Sequence, residues 1–363
     1  MKRLLCVLSN MNAGGAETFL MKLHRNLDRS RYQMDYCVNV FEQNFYEDEI
    51  RELGGKVFKI PSRSKDFKEH NKQFGRIIRE NKYEYILAVS ANAIAYLDLA
   101  LAKKNGAKRC VIRSSNSNLN DKIQTKILKV IMRKLFSHYA DIWFAPSDLA
   151  AENLFGKNYR NNTKFHYLSN ALDLEQYSFS TVNREEIRHE FSIDEDTFVV
   201  GHVGRFFRQK NHGFLLDIFE RIVQKKEKSV LLLVGDGELL SAIKEKAEEK
   251  GLIHKVIFAG TRSDVNKILS AFDVFVFPSF YEGMPNTVIE AEANGLPCVV
   301  SSSITKDAKI MDNVRYLPLS ESSNQWADTA LSLEREEHSL NKMRDSGYDI
   351  QKCVRYFEQV VFN

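Results

Sequence analysis

The sequence predicts an α/β protein built from two doubly wound parallel sheets. Three observations predict it. The chain has 363 residues, and single domains typically hold roughly 100–200. Short, β-rich apolar runs alternate with amphipathic stretches along most of the length. The apolar runs are continuous, as in strands covered on both faces. Eleven such runs exceed one ordinary sheet, so two sheets in two domains are expected.

In order, the expected strands are Arg3–Ser9, Gln33–Val40, Lys56–Ile60, Glu84–Ser90, Lys108–Arg113 and Asp141–Pro146 in the first half. Phe198–Gly204, Ser229–Gly235, Val256–Gly260, Asp273–Pro278 and Pro297–Ser301 follow in the second. Helical stretches separate many of them. The seam falls near Ser169–Thr197, a polar stretch without a strong period that precedes a fresh strand. Residues 1–172 then form a first domain and 173–344 a second. A last helix over 345–363, with Ile350, Val354, Phe357 and Val361 on one side, packs back on the first. Ligands of doubly wound sheets sit at the carboxyl ends of strands, so two such domains facing a cleft would place their functional residues in loops just after strands.

Composition excludes several classes. Apolar residues make up 44% and charged residues 28%, as in ordinary globular proteins. No run approaches the roughly 20 apolar residues of a membrane span. The short apolar run after the basic start lacks a cleavage site and reads as a buried strand, not a signal peptide. Five scattered cysteines form no C-x-x-C pair, which argues against disulfides or a zinc site and suits a reducing cytoplasm. Residues 1–170 carry 29 Lys+Arg against 17 Asp+Glu, a balance of +12; the remainder carries 23 against 31, a balance of −8. The first half is therefore expected to meet something anionic.

Three loops carry candidate chemistry. Gly14-Gly15-Ala16-Glu17 follows the first strand and opens a helix. Its glycines let backbone N–H groups approach an anion at a helix N-terminus; a tight βα turn is the plainer reading. In the second half, Arg205 and Lys210 flank the loop after the strand ending at Gly204. A fixed Arg and Lys stabilise charge developing on a departing diphosphate without a metal. The third loop, Phe280-Tyr281-Glu282-Gly283-Met284-Pro285-Asn286-Thr287, precedes a helix containing Glu290. Pro285 suits a helix's first turn. The N–H groups of Met284, Asn286 and Thr287 are expected to face the cleft. A loop carboxylate can bind sugar hydroxyls, amides phosphate, and a second carboxylate a ribose diol. Three of the six prolines (Pro278, Pro285, Pro297) lie here, and a stiff loop preorganises a site. Asp194-Glu195-Asp196 matches a D-x-D metal motif but reads as a solvated turn, and Gly235-Asp236-Gly237-Glu238 as a βα turn.

Glu282 and Glu290 match the E-x7-E pattern of family 4 retaining glycosyltransferases, in the form Y-E-G-M-P-N-x-x-x-E-A. With the Gly14–Glu17 loop, the Asn170–Asp173 segment, Val203-Gly204-Arg205 with Lys210, and Gly260-Thr261-Arg262, the chain resembles that family over almost its whole length. It is most similar to exopolysaccharide, capsule and O-antigen transferases. The resemblance implies a GT-B fold with a nucleotide-diphosphate sugar, UDP expected, held mainly by the second domain. It implies that Arg205 and Lys210 bind the diphosphate, that Glu282 faces the sugar beside the backbone of Gly283–Thr287, and that Glu290 holds the ribose. The backbone around Arg262 would meet the base, and Gly14–Gly15 the donor phosphate and acceptor. It also implies metal-independent transfer with no cofactor, to a glycan or lipid-linked acceptor. Where many relatives carry a His-Ser-His-Asn-like stretch, this chain has Arg113-Ser114-Ser115-Asn116-Ser117, with no histidine. Glu17, Arg113, Ser115 and Asn116 are the expected acceptor-side residues, Arg113 as a phosphate contact.

Residues 101–140 hold ten Lys or Arg and one acid, Asp121. Lys122, Lys126, Lys129 and Arg133 recur at helical spacing on one face, with Ile123, Ile127, Val130 and Ile131 on others. This predicts a basic amphipathic helix on an anionic membrane, against the plainer reading of a solvated face; nucleic acid is not expected. The competing functions are a GT-B binding subunit supporting a partner transferase and a sugar-nucleotide epimerase.

Overall fold

The computed structural model describes residues 1–12, 14–115, 123–282, 284–336 and 339–363. The chain divides into two compact units, 1–171 with 349–363, and 172–348.

In the first unit, β1 (Lys2–Val7), β2 (Tyr32–Val38), β3 (Val57–Lys59), β4 (Tyr85–Ser90), β5 (Arg109–Ser114), β6 (Ile142–Ala145) and β7 (Phe165–Tyr167) form one sheet in the order β3-β2-β1-β4-β5-β6-β7. All its pairings are parallel. Successive side chains of a strand point to opposite faces, and β1 shows why its apolar run is continuous. Leu4 and Cys6 enter one core, shared with the C-terminal helix Ile350–Phe362. Leu5 and Val7 enter the other, shared with the helices Phe67–Asn81 and Ala95–Lys104. The one buried acid of β2, Asp35, is satisfied by Arg3 through two hydrogen bonds, by the Tyr83 hydroxyl and by the Lys56 N–H, as a buried charge requires.

The second unit repeats the winding. Strands β8 (Phe198–Val203), β9 (Ser229–Val234), β10 (Val256–Gly260), β11 (Val274–Phe277), β12 (Cys298–Ser301) and β13 (Val314–Leu317) run β10-β9-β8-β11-β12-β13. The strands stay parallel, but the order in which they are added reverses between β1 and β4 in one sheet and between β8 and β11 in the other. Those are the switch points at which doubly wound sheets open a crevice.

Four expectations change. The short edge strands β7 and β13 were not expected, because neither carries a long apolar run. The seam stretch folds as the helices Leu174–Tyr177 and Thr181–Glu190. Residues 345–348 group with the second unit rather than the first.

The fourth change is the basic helix. Lys122 lies outside the described residues, and the helix Ile123–Phe136 does not present Lys126, Lys129 and Arg133 as one solvent face. Lys129 is 4% exposed, and its Nζ donates to Asn153 Oδ1 at 2.8 Å. Arg133 lies over Gly156, where an added Cβ would stand 2.6 Å from its guanidinium. The exposed face carries Ile127, Val130, Ile131 and Leu135, with Lys126 and Lys134 beside them. Long aliphatic stems let Lys and Arg line a protein face, which sequence spacing alone does not reveal. Among the described residues no helix is long and apolar enough to cross a membrane. All five cysteines are free and buried.

Candidate active site

The loop after β8 is shaped by close backbone packing. Gly235 (φ +140°) and Gly237 (φ +156°) sit against it; a Cβ on Gly235 would lie 2.2 Å from the Gly204 carbonyl oxygen, and one on Gly237 2.7 Å from that of Phe206. The Gly235–Glu238 turn is therefore a support for the Gly204–Phe206 backbone. Asn211 closes the loop in the left-handed region at φ +57°, a conformation Asn tolerates better than most residues.

This loop is tied to the one after β11. Phe280 N–H donates to Gln209 O at 2.9 Å, Gln209 Nε2 to Tyr281 O at 2.8 Å, and Asn211 Nδ2 to Pro278 O at 3.2 Å. The same junction brings Lys210 Nζ within 2.7 Å of Glu282 Oε1, with their side chains 17% and 11% exposed. Lys210 also lies 4.5 Å from the centroid of Phe277, and exposed Arg205 stacks 4.1 Å over Phe207. A cation and a carboxylate, half-buried and fixed from two adjacent strand ends, suit a ligand with an anionic part beside a hydroxyl-rich part.

Beyond Glu282, Gly283 lies outside the described residues. The helix Asn286–Ala293 starts directly after Pro285, which occupies the cap rather than the first helical position. Met284 and Asn286 are half-buried in that first turn. Thr287 Oγ1 there is buried with no partner among the described residues. One turn on, Glu290 is largely buried and accepts from the Tyr177 hydroxyl at 3.2 Å. The Arg262 side chain is clamped by Asp264 and Glu190, so only the backbone of its turn is available to a ligand.

Sequence reading missed the groups beneath this site. His202 donates or accepts through Nδ1 at 2.8 Å from Val276 O, and its Nε2, both ring nitrogens of His212 and the Ser279 hydroxyl are buried without partners among the described residues. The only signal was position at a strand's carboxyl end. The D-x-D acids are exposed and paired with Lys228.

In the first unit, Gly14 caps the helix Gly15–Asn26 in extended conformation, and the Glu17 carboxylate folds back over it, 2.4 Å from where a Cβ would stand. Burial raises the Glu17 carboxyl above its ordinary value, opposed by a backbone hydrogen bond. Glu17 and Ser115 line an open cavity of about 310 Å³ between the ends of β1 and β4. Asn116 lies outside the described residues. Arg113 corrects an expectation: it is 1% exposed, donates to Asn170 and Leu168 O, and lies 4.1 Å over Phe19. Burial lowers its pKa to about 10. It ties β5 to the segment after β7 and is buried away from solvent.

Two doubly wound units, one carrying this Lys–Glu pair at its switch point, define the GT-B class of glycosyltransferases. Residues 183–350 match the model of the family of glycosyl transferases group 1. The putative glycosyltransferase EpsF of Bacillus subtilis (strain 168) is 33% identical over 97% of this chain and 94% of its own. The UDP-Gal:α-D-GlcNAc-diphosphoundecaprenol α-1,3-galactosyltransferase of Escherichia coli is 27% identical over 62% and 60%. Anabaena HepE, solved with UDP and glucose, superposes with a TM-score of 0.78 at 17% identity, covering 99% of both chains; it shows the fold. The chain belongs to the group 1 glycosyl transferases.

Proposed function

We propose that the chain moves a hexose or N-acetylhexosamine from a nucleoside-diphosphate sugar, UDP-linked, to a lipid-linked glycan acceptor in surface polysaccharide synthesis, with retention and without a metal. The observation that carries it is the Lys210–Glu282 pair at the β8/β11 switch point. A donor whose diphosphate meets Lys210 and Arg205 has its sugar beside Glu282. The N-terminus of Asn286–Ala293 adds a favourable dipole for phosphate, and Glu290 stands one turn further for the ribose. As the anomeric C–O bond breaks, its electron pair goes to the diphosphate, and the two cations stabilise that charge. The acceptor hydroxyl oxygen bonds to the anomeric carbon on the same face and gives its proton to the departing phosphate oxygen. The E. coli relative's named donor and diphospholipid acceptor support this class of substrates. The apolar face of Ile123–Phe136 and the first half's positive charge support a peripheral position at the membrane's inner surface, where such an acceptor resides.

The test is a thermal-shift panel of UDP, GDP, ADP and CMP, with and without chelator, followed by turnover of UDP-sugars. Binding at a hundredfold excess over Kd stabilises by about 2.7 kcal/mol. UDP is expected to shift the melt with chelator present. Lys210→Ala is expected to lower kcat by about 10²–10³, and Glu282→Ala to abolish transfer with the fold intact. No shift with any nucleotide, or full turnover by Glu282→Ala, would overturn the reading.

A further inference from the structure

A second cavity opens in the first unit, on the β2 side of the β1/β4 crevice. It has a volume of about 270 Å³, near the lower end of the roughly 300–1,000 Å³ of small-molecule sites. It adjoins the Glu17 cavity, sharing Ser9, Ser90 and Asn92 with it. Its polar wall comes from four different loops and helices: Asn39 after β2, Arg63 and Ser64 after β3, His70 in Phe67–Asn81, and Asp98 in Ala95–Lys104.

The carboxylate of Asp98 is held on one side only. Arg63 donates to Oδ1 from Nε at 3.2 Å and from NH2 at 2.7 Å, and His70 Nε2 lies 2.9 Å from the same oxygen. His70 is itself fixed, with Nδ1 2.8 Å from Pro61 O, and Arg63 NH1 is engaged by Asn71. Oδ2 takes none of these bonds. Two side chains, through three nitrogens, therefore hold the carboxylate in one orientation and leave its second oxygen to the cavity.

Charge and shape decide the ligand class. A phosphate entering here would meet the Asp98 oxygen, while the nearest cation already serves that carboxylate. A base would find no aromatic platform apart from the His70 ring, whose two nitrogens are both engaged. A neutral polyol suits every group present: Oδ2 accepts a hydroxyl, Asn39, Ser64 and Asn92 offer both donors and acceptors, and Ile94 supplies an apolar wall for ring C–H groups. We infer that this cavity is a subsite for a neutral sugar residue of the acceptor, with Asp98 binding its hydroxyls and Arg63 and His70 positioning Asp98. The inference rests on the transferase reading for the word acceptor, not for the sugar.

The experiment is saturation-transfer NMR on the full chain with UDP present, using methyl α-D-glucopyranoside and methyl N-acetyl-α-D-glucosaminide as probes. At least one glycoside is expected to show transfer. Asp98→Asn keeps an acceptor for Arg63 and His70 but replaces the free oxygen by a donor; it is expected to weaken that binding about tenfold or more with an unchanged melting temperature. Asp98→Ala should weaken it as well, but at a lower melting temperature, because Arg63 and His70 lose their carboxylate. A signal lost in Asp98→Asn supports the subsite even if UDP gives no thermal shift, in which case only the donor reading falls. No glycoside signal, a signal equal in Asp98→Asn, or displacement of the glycoside by inorganic pyrophosphate would overturn it.

Discussion

Two buried titratable residues near the Lys210–Glu282 pair pull stability in opposite directions with pH. Glu292 is fully buried in Asn286–Ala293; its Oε2 accepts from Ile310 N–H at 2.8 Å and Met311 N–H at 2.7 Å. Burial nevertheless raises its carboxyl to about 8. A carboxyl raised above its unfolded value contributes fully below about 4.5 and loses that contribution as pH rises through about 8. Glu292→Gln is therefore expected to stabilise on the order of 2 kcal/mol more near pH 9 than near pH 5. His212 behaves inversely. Burial first, and Lys210 second, lower it to about 4, so its contribution is present above about 6.5 and lost as pH falls toward 4. Its ring stacks on Phe206 with centroids 4.2 Å apart, a place a phenyl ring also fits. His212→Phe is expected to gain about 1–2 kcal/mol near pH 5 relative to pH 8. Melting curves across this range check both; a variant whose curve stays parallel to the wild type exonerates that group.

At the scale of single elements, the helix Ile123–Phe136 carries the membrane proposal on an apolar face rather than a basic one. Ile131→Glu and Leu135→Glu are each expected to reduce sedimentation with anionic vesicles about tenfold, since each removes an exposed aliphatic side chain whose burial in the membrane is worth about 1.5–3 kcal/mol. Lys126→Glu should act mainly at low salt; binding unchanged in all three would remove this helix from the interface. The same helix shows where sequence stops being legible. Its residues were readable as helical, but which face turns inward depends on Asn153 and Gly156, partners from elsewhere in the fold. Eleven strands announced themselves by apolar, β-rich runs, whereas Phe165–Tyr167 and Val314–Leu317 are short and interrupted by the polar His166 and Arg315. The proximity of Glu282 and Glu290 was legible because they lie on one loop and the helix it opens. Arg63, His70 and Asp98 come from separate connections with no shared spacing, so only the folded sheet brings them together. Arg113 looked like a ligand-binding arginine because nothing in its neighbours' identities records Phe19 above it and Asn170 beside it.

On the scale of the whole molecule, the first unit is completed by a distant piece of chain. Ile350, Val354, Phe357 and Val361 of the C-terminal helix are buried among Phe19, Leu20 and Leu23. Its last carbonyls are met by Lys2 Nζ at 2.6 Å (Phe362 O) and by Arg109 NH1 at 3.2 Å (Val360 O and Val361 O), cations that also suit the helix's negative end. Phe357→Ala is expected to destabilise the first unit by about 3–5 kcal/mol. In a calorimetric scan its transition should move down, while that of the second unit stays in place. A single transition moving as a whole would mean that the two units unfold together.

The order of these segments along the chain has a consequence for biosynthesis. A ribosome finishes all of residues 172–348 before it makes the helix that closes the first unit's core. The second unit, contiguous in sequence, can therefore mature while nascent chain is still emerging. The unit begun first must wait, with part of its apolar surface uncovered, until translation of Asp349–Asn363 is done. That interval is when a chaperone, or aggregation, would compete for it.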